Sequence, residues 1–173
     1  LGTAAQTDVS SVDGLIEALY KRADYFASMG CRVSDQSMGR LCFTEITKDE
    51  CDGIYKKALS GEKISADDEG KYRSYVFSAL CEKYYSLGFV TEIHIGALRN
   101  NNSRLFSSSG ADSGCDSMDD GEIMTPLNRL LDSLNKKGCL GKTVLFNLNP
   151  KDSLPLCVTA GNFQGDGVFG KMQ

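Results

Sequence analysis

Tryptophan is absent from this 173-residue chain, and histidine occurs once. One imidazole cannot assemble a metal centre, so any such centre must draw on carboxylates or on groups from outside the chain. Basic runs are missing too. The net charge is -4 with lysine and arginine dispersed, which argues against a polybasic membrane patch and a dedicated nucleic-acid surface. No apolar run approaches the ~20 residues that a membrane-spanning helix needs, and no stretch has the layout of a secretory signal. The 7 cysteines contain no C-x-x-C pair, which argues against a zinc ribbon or a tight disulfide framework. Most lie among apolar residues and read as buried, reduced thiols of a cytoplasmic protein.

What is present suffices for one globular domain with a core. In SSVDGLIEALYKRADYFASMG the residues Val12, Leu15, Leu19 and Phe26 form a helical stripe, capped by Ser10 with Asp13 and stopped at Gly30. CRVSD follows as a short buried strand with Asp35 at its carboxyl end. Two capped helices come next, one from Thr47 and Glu50 to Gly61, the other from Ser65 and Asp68 to Gly88. FVTEIHIG reads as a second strand. The stretch NNNSRLFSSSGADSGCDSMDDGE is polar, aperiodic and long for a connection, which predicts a functional or disordered loop. Ile123, Leu127, Leu130, Leu131 and Leu134 then mark another amphipathic helix. KTVLFNLNP is a third strand, apolar enough to be covered on both faces, and DSLPLCVTAGNFQ a last helix with Pro155 in its first turn.

Strands separated by helices predict an α/β fold with parallel pairing. Three strands make a thin sheet with bare edges, a slice of something larger that is expected to associate as a homo-oligomer. A chain that opens on Leu1 and closes on GKMQ is likewise expected to be an excised piece.

In parallel α/β folds the working residues cluster at the carboxyl ends of the strands. Here those ends carry Asp35, His94, and Asn147 with Asn149. His94 reads either as a half-buried histidine bonded to a carbonyl, or as a metal ligand or acid/base group. Asp35 either caps a loop or carries a proton. Arg99 and the Asn100, Asn101 and Asn102 run either solvates a turn or clamps a carboxylate and orients sugar hydroxyls. The glycines of GDGVFGKM are no phosphate loop, because Met172 stands where a hydroxyl is needed. Asp112, Asp116, Asp119 and Asp120 lack the spacing of a calcium loop.

Taken together, GCRVSD, EIHIGALRNNNSRLF, FNLNPKD and GNFQGDG with GKMQ, in this order, resemble the central part of the uronate (glucuronate) isomerase family. HIGALRNNN is the most specific element, and nearly the whole chain is covered. The resemblance implies a partial (β/α)8 TIM barrel of the amidohydrolase superfamily, with residues 1–173 as the central segment of one catalytic domain. It implies the interconversion of D-glucuronate with D-fructuronate and of D-galacturonate with D-tagaturonate. It implies a small uronate sugar as partner and a divalent metal of the zinc class in the full-length chain. His94 matches the histidine that ends the fifth barrel strand, beside or on that metal. Asp35 matches the aspartate of the family motif SDHG and is the candidate proton carrier. Arg99, Asn100 and Asn101 are the candidate contacts to the substrate.

Two departures stand out. SDQS replaces SDHG, so Gln36 occupies a histidine's place and cannot carry a proton near neutral pH. The H-x-H pair of the first strand, the tryptophan-rich motif of the seventh and the aspartate of the eighth are missing, in keeping with the absence of tryptophan. The segment by itself is therefore expected to be inactive. A metal-dependent hydrolase on the same barrel and a non-catalytic paralogue, the latter suggested by Gln36, are the rival readings.

Overall fold

A computed structural model describes residues 1–165, 167 and 169–173. Asp166 and Val168, inside the glycine-rich stretch just dismissed as a phosphate loop, lie outside the described residues.

A single turn, α1 (Gly2–Ala5), leads into α2 (Val12–Ser28). The α2 cap is Ser11, whose hydroxyl accepts the Gly14 N–H at 3.2 Å. Ser10, the expected cap, instead donates to Asp8 Oδ2 at 2.7 Å, so the helix begins one residue later than its pattern suggests. β1 (Val33–Gly39) does not stop at Asp35. Parallel pairing with the next strand carries it on through Ser37 to Gly39, where a φ of +52° that suits glycine bends the chain away. α3 (Lys48–Leu59) has the expected reciprocal cap between Thr47 and Glu50, and α4 (Ala66–Ser86) opens on Ser65. β2 (Val90–Ile95) follows directly.

The polar stretch after β2 is ordered into a small excursion. β3 (Ala97–Leu98) pairs antiparallel with β4 (Ser117–Met118), and α5 (Ser103–Ser109) lies between them. Asn102 caps α5 by accepting the Leu105 N–H at 3.0 Å. No α5 residue is buried, so the helix has no apolar stripe for periodicity to reveal.

α6 (Met124–Lys136), β5 (Thr143–Asn147), a 3₁₀ turn (Pro150–Asp152) and α7 (Ser153–Asn162) complete the chain, with Pro155 in the first turn of α7. The main sheet has the order β1-β2-β5, all parallel. Residues 171–173 run beside β5 through an isolated parallel bridge between Thr143 and Met172. Thr143 N–H donates to Lys171 O at 2.8 Å, and Leu145 N–H to Gln173 O at 2.7 Å.

Helices cover only one face of this sheet. Ile93 and Ile95 pack there with Phe77 and Cys81 of α4 and with Leu127, Leu130, Leu131 and Leu134 of α6, which are all buried as the stripe predicts. The opposite face is bare: Val33 is 43% exposed and Phe146 41%. Coverage of β5 on both faces is therefore not found, because no helix among the described residues packs on the second one. The thiols depart from expectation as well. All seven are unpaired, but only Cys51 and Cys81 are buried, and Cys157 is exposed. Among the described residues, no helix is long and apolar enough to cross a membrane.

Candidate active site

Strand alternation decides which side chains meet. Ser34 and Met38 of β1, and Thr91, Ile93 and Ile95 of β2, face the helices and are buried. Asp35, Ser37, Glu92 and His94 consequently share the bare face. Parallel register sets Asp35 opposite Glu92, Ser37 opposite His94, and His94 opposite Phe146.

His94 Nε2 lies 3.1 Å from Asp35 Oδ1, a diagonal contact across β1 and β2. The imidazole stacks on Phe146 with ring centroids 4.4 Å apart and planes at 14°. Its position is fixed by a flat apolar wall on one side and a carboxylate on the other. Glu92 completes the cluster: one ligand atom from each of Asp35, Glu92 and His94 lies within 4.8 Å of the others. Sequence reasoning missed Glu92, although the signal was available. A residue two places before His94 in a strand must share its face. One imidazole nitrogen and two carboxylates are a donor set that fits a zinc-class divalent ion.

Arg99 rises on the rim above this face. A cavity of about 300 Å³ is lined by Ser37, His94, Arg99, Asp116, Phe146 and Asn147, among others. Three larger cavities, about 510, 550 and 330 Å³, lie beside Phe89 and Lys142, beside Tyr20 and Tyr75, and beside Tyr55 and Tyr72. None adjoins the histidine, and volume alone does not make a site. Arg99 Nη1 donates to Asp116 Oδ2 at 2.5 Å, and Nη2 reaches Ser37 Oγ at 3.4 Å. The Asp116 carboxyl is held below the usual carboxylate range, first by the Asn100 N–H and then by Arg99.

The asparagine run is built into the turn. Asn100 adopts a left-handed φ of +58°, which asparagine tolerates, and gives its N–H to Asp116 Oδ1 at 3.0 Å. Asn101 Nδ2 donates to Leu98 O at 2.5 Å. Neither side chain is among those lining the cavity. At the end of β5, Asn147 Nδ2 donates to Asn149 O at 2.6 Å, and Asn149 Nδ2 donates to Asp119 O at 3.1 Å, tying this rim to the excursion.

Gln36 points the other way. Its Nε2 donates to Tyr84 Oη on α4 at 3.4 Å, on the helix-covered face. The departure from SDHG thus lies off the surface that carries Asp35 and His94.

The family model for glucuronate isomerase matches residues 1–173. The chain belongs to the glucuronate isomerase family. The uronate isomerase of Caldicellulosiruptor bescii is 46% identical over 165 residues, 95% of this chain and 36% of that protein. The uronate isomerase of Shouchella clausii is 44% identical over all 173 residues, which make up 37% of its length. The chain thus spans little more than a third of the relatives it matches. The crystal structure of the Thermotoga maritima uronate isomerase superposes with a TM-score of 0.88 at 29% identity, over 94% of this chain and 36% of that one. Glucuronate isomerase from Caulobacter crescentus shares the fold, with a TM-score of 0.86 at 23% identity over 99% of this chain and 34% of its own. The three parallel strands and their helices are part of the family's TIM-type barrel. In such a barrel the helices lie outside, so the bare face with Asp35, Glu92 and His94 is the one that a closed barrel encloses.

Proposed function

We propose that residues 1–173 form the central segment of one (β/α)8 catalytic domain, and that this domain isomerises D-glucuronate to D-fructuronate and D-galacturonate to D-tagaturonate. One observation carries the reading. The only histidine and two carboxylates cluster on the bare face of a parallel sheet, and His94 lines one cavity with Arg99, which lies just beyond the carboxyl end of β2.

Aldose–ketose isomerisation moves a proton from C2 to C1 and a hydroxyl proton from O2 to O1, through an enediol. It needs a proton carrier, a group that polarises the carbonyl, and a cation for the distant carboxylate. Asp35 takes the C2 proton and returns it at C1. His94, backed by Phe146, holds Asp35 across the two strands. Arg99 binds the sugar's carboxylate at the rim, and Asn100 and Asn101 shape the turn that carries it. His94 and Glu92 are the donors on this chain that would hold a divalent metal, leaving Asp35 as base. When bound, a zinc-class ion supplies Lewis-acid polarisation of the carbonyl and hydroxyl oxygens. The unpaired thiols favour a cytoplasmic setting.

The test is ketose formation from D-glucuronate, with zinc supplied, by a chain of the relatives' length that carries these 173 residues in place of the matching third. His94→Asn in that chain is expected to lower kcat by roughly 10²–10⁴-fold. Unchanged turnover in the folded His94→Asn protein would remove His94 from the site and the isomerase mechanism with it.

A further inference from the structure

We propose that Asp116 is the positioning residue that sets the Arg99 fork for a carboxylate, and thereby sets the preference for sugar acids over neutral sugars. This deepens the reading of Arg99 as the substrate clamp and rests on it. Arg99 stands on an open rim, with 53% of its side chain exposed. A long side chain left free there samples many rotamers, and a ligand must order it on binding.

Asp116 removes that freedom. Its two oxygens grip consecutive residues, Oδ2 taking Arg99 Nη1 at 2.5 Å and Oδ1 taking the Asn100 N–H at 3.0 Å. The grip depends on the β3–β4 ribbon. Leu98 pairs with Ser117, Ala97 with Met118, and Asn101 N–H donates to Cys115 O at 2.9 Å, which returns Asp116 to Arg99 from 17 residues away. A short ribbon that fully buries none of its four residues does little for the core, so its placement of this one carboxylate stands out.

The direction of the grip matters. With Nη1 taken, Nη2 and Nε remain as a pair of parallel donors, the arrangement that holds a carboxylate in two hydrogen bonds. Nη2 already leans to Ser37 Oγ on the cavity wall that includes His94. The Asp116 charge also repels an incoming carboxylate. On an open rim that repulsion is screened, whereas a preset fork saves the ordering of a whole side chain, so positioning outweighs repulsion.

The experiment uses the full-length chain that carries this segment. Calorimetry gives Kd for two probes of like hydroxyl pattern, D-gluconate and the neutral D-glucitol, alongside kcat and KM for D-glucuronate. Asp116→Ala is expected to raise Kd for gluconate and KM for glucuronate about tenfold, to leave Kd for glucitol unmoved, and to change kcat by less than about threefold. Asp116→Glu restores part of the loss. If Asp116→Ala does not fold, Asp116→Asn carries the same comparison. Equal shifts for both probes, or none for either, would overturn the proposal. Arg99→Met separates the two ideas. Should it leave gluconate binding intact, the clamp itself fails; should it weaken gluconate binding while Asp116→Ala does not, only the positioning role fails.

Discussion

Cys51 is enclosed between α3 and its neighbours, and burial, with Asp52 beside it, pushes its thiol up to about 11. Burial pushes the Cys81 thiol up further, under the sheet. A thiol reacts as the thiolate, so at pH 8 both are almost wholly protonated as well as inaccessible. Cys157 lies exposed on α7. A maleimide at pH 8 is expected to label Cys157 first, and Cys51 and Cys81 only after denaturant is added. Labelling of Cys51 at the rate of Cys157, read by mass spectrometry of peptides, would contradict the packing. The sequence showed seven thiols, most of them among apolar neighbours. Which two are sealed depends on helices that meet only in the folded chain.

Element by element, the caps divide the legible from the illegible. Thr47 and Glu50 announce the start of α3 by their spacing, and the folded chain closes both bonds: Glu50 N–H to Thr47 Oγ1 at 3.3 Å, and Thr47 N–H to Glu50 Oε2 at 2.8 Å. Thr47→Ala is expected to cost about 1 kcal/mol in urea unfolding. The Glu50 carboxyl is held below its ordinary value, first by the Thr47 N–H and then by the Thr47 hydroxyl. A carboxyl lowered in the folded state stabilises it above the unfolded value, and that contribution is lost as pH falls through the lower folded one. The stability gap between the native chain and Glu50→Ala should therefore be full at pH 7 and should close as acid is added below the ordinary glutamate range. A gap that persists at pH 3 would show that Glu50 acts through packing. α5 marks the other extreme. It buries nothing, so SRLFSSS carries no stripe, and only Asn102 at its start hints at a helix. The end of β1 is hidden in its sequence for a related reason. Asp35 looks like a terminus, but hydrogen bonds to β2 carry the strand on past it, and those bonds are not written in β1.

At the scale of the whole molecule, the bare face and edge dominate. β1 has no partner on its outer side among the described residues, and exposed Val33 begins it. Phe146 and Leu148 add apolar surface at the other end. Open strand edges recruit other chains. The isolated 173 residues are expected to associate at micromolar concentration, as read by light scattering, and Val33→Lys is expected to reduce that association. A monodisperse single chain would show that the edge is protected. In a chain of the relatives' length the same edge and face would be covered by further strands, and the association should vanish.

Sequence alone determined the periodic elements and, α2 apart, their serine and threonine caps, and it set His94 near the end of a strand, because those signals need only neighbours a few residues apart. The resemblance to uronate isomerases was legible for the same reason, in HIGALRNNN and its companions. Tertiary structure decided the site. Parallel register brought Asp35 to His94, strand alternation turned Gln36 away to Tyr84, and a two-residue ribbon returned Asp116 to Arg99. The first and the last depend on pairing between distant stretches of backbone, and the meeting of Gln36 with Tyr84 on the packing of α4 against the sheet, none of which is fixed by neighbours a few residues apart.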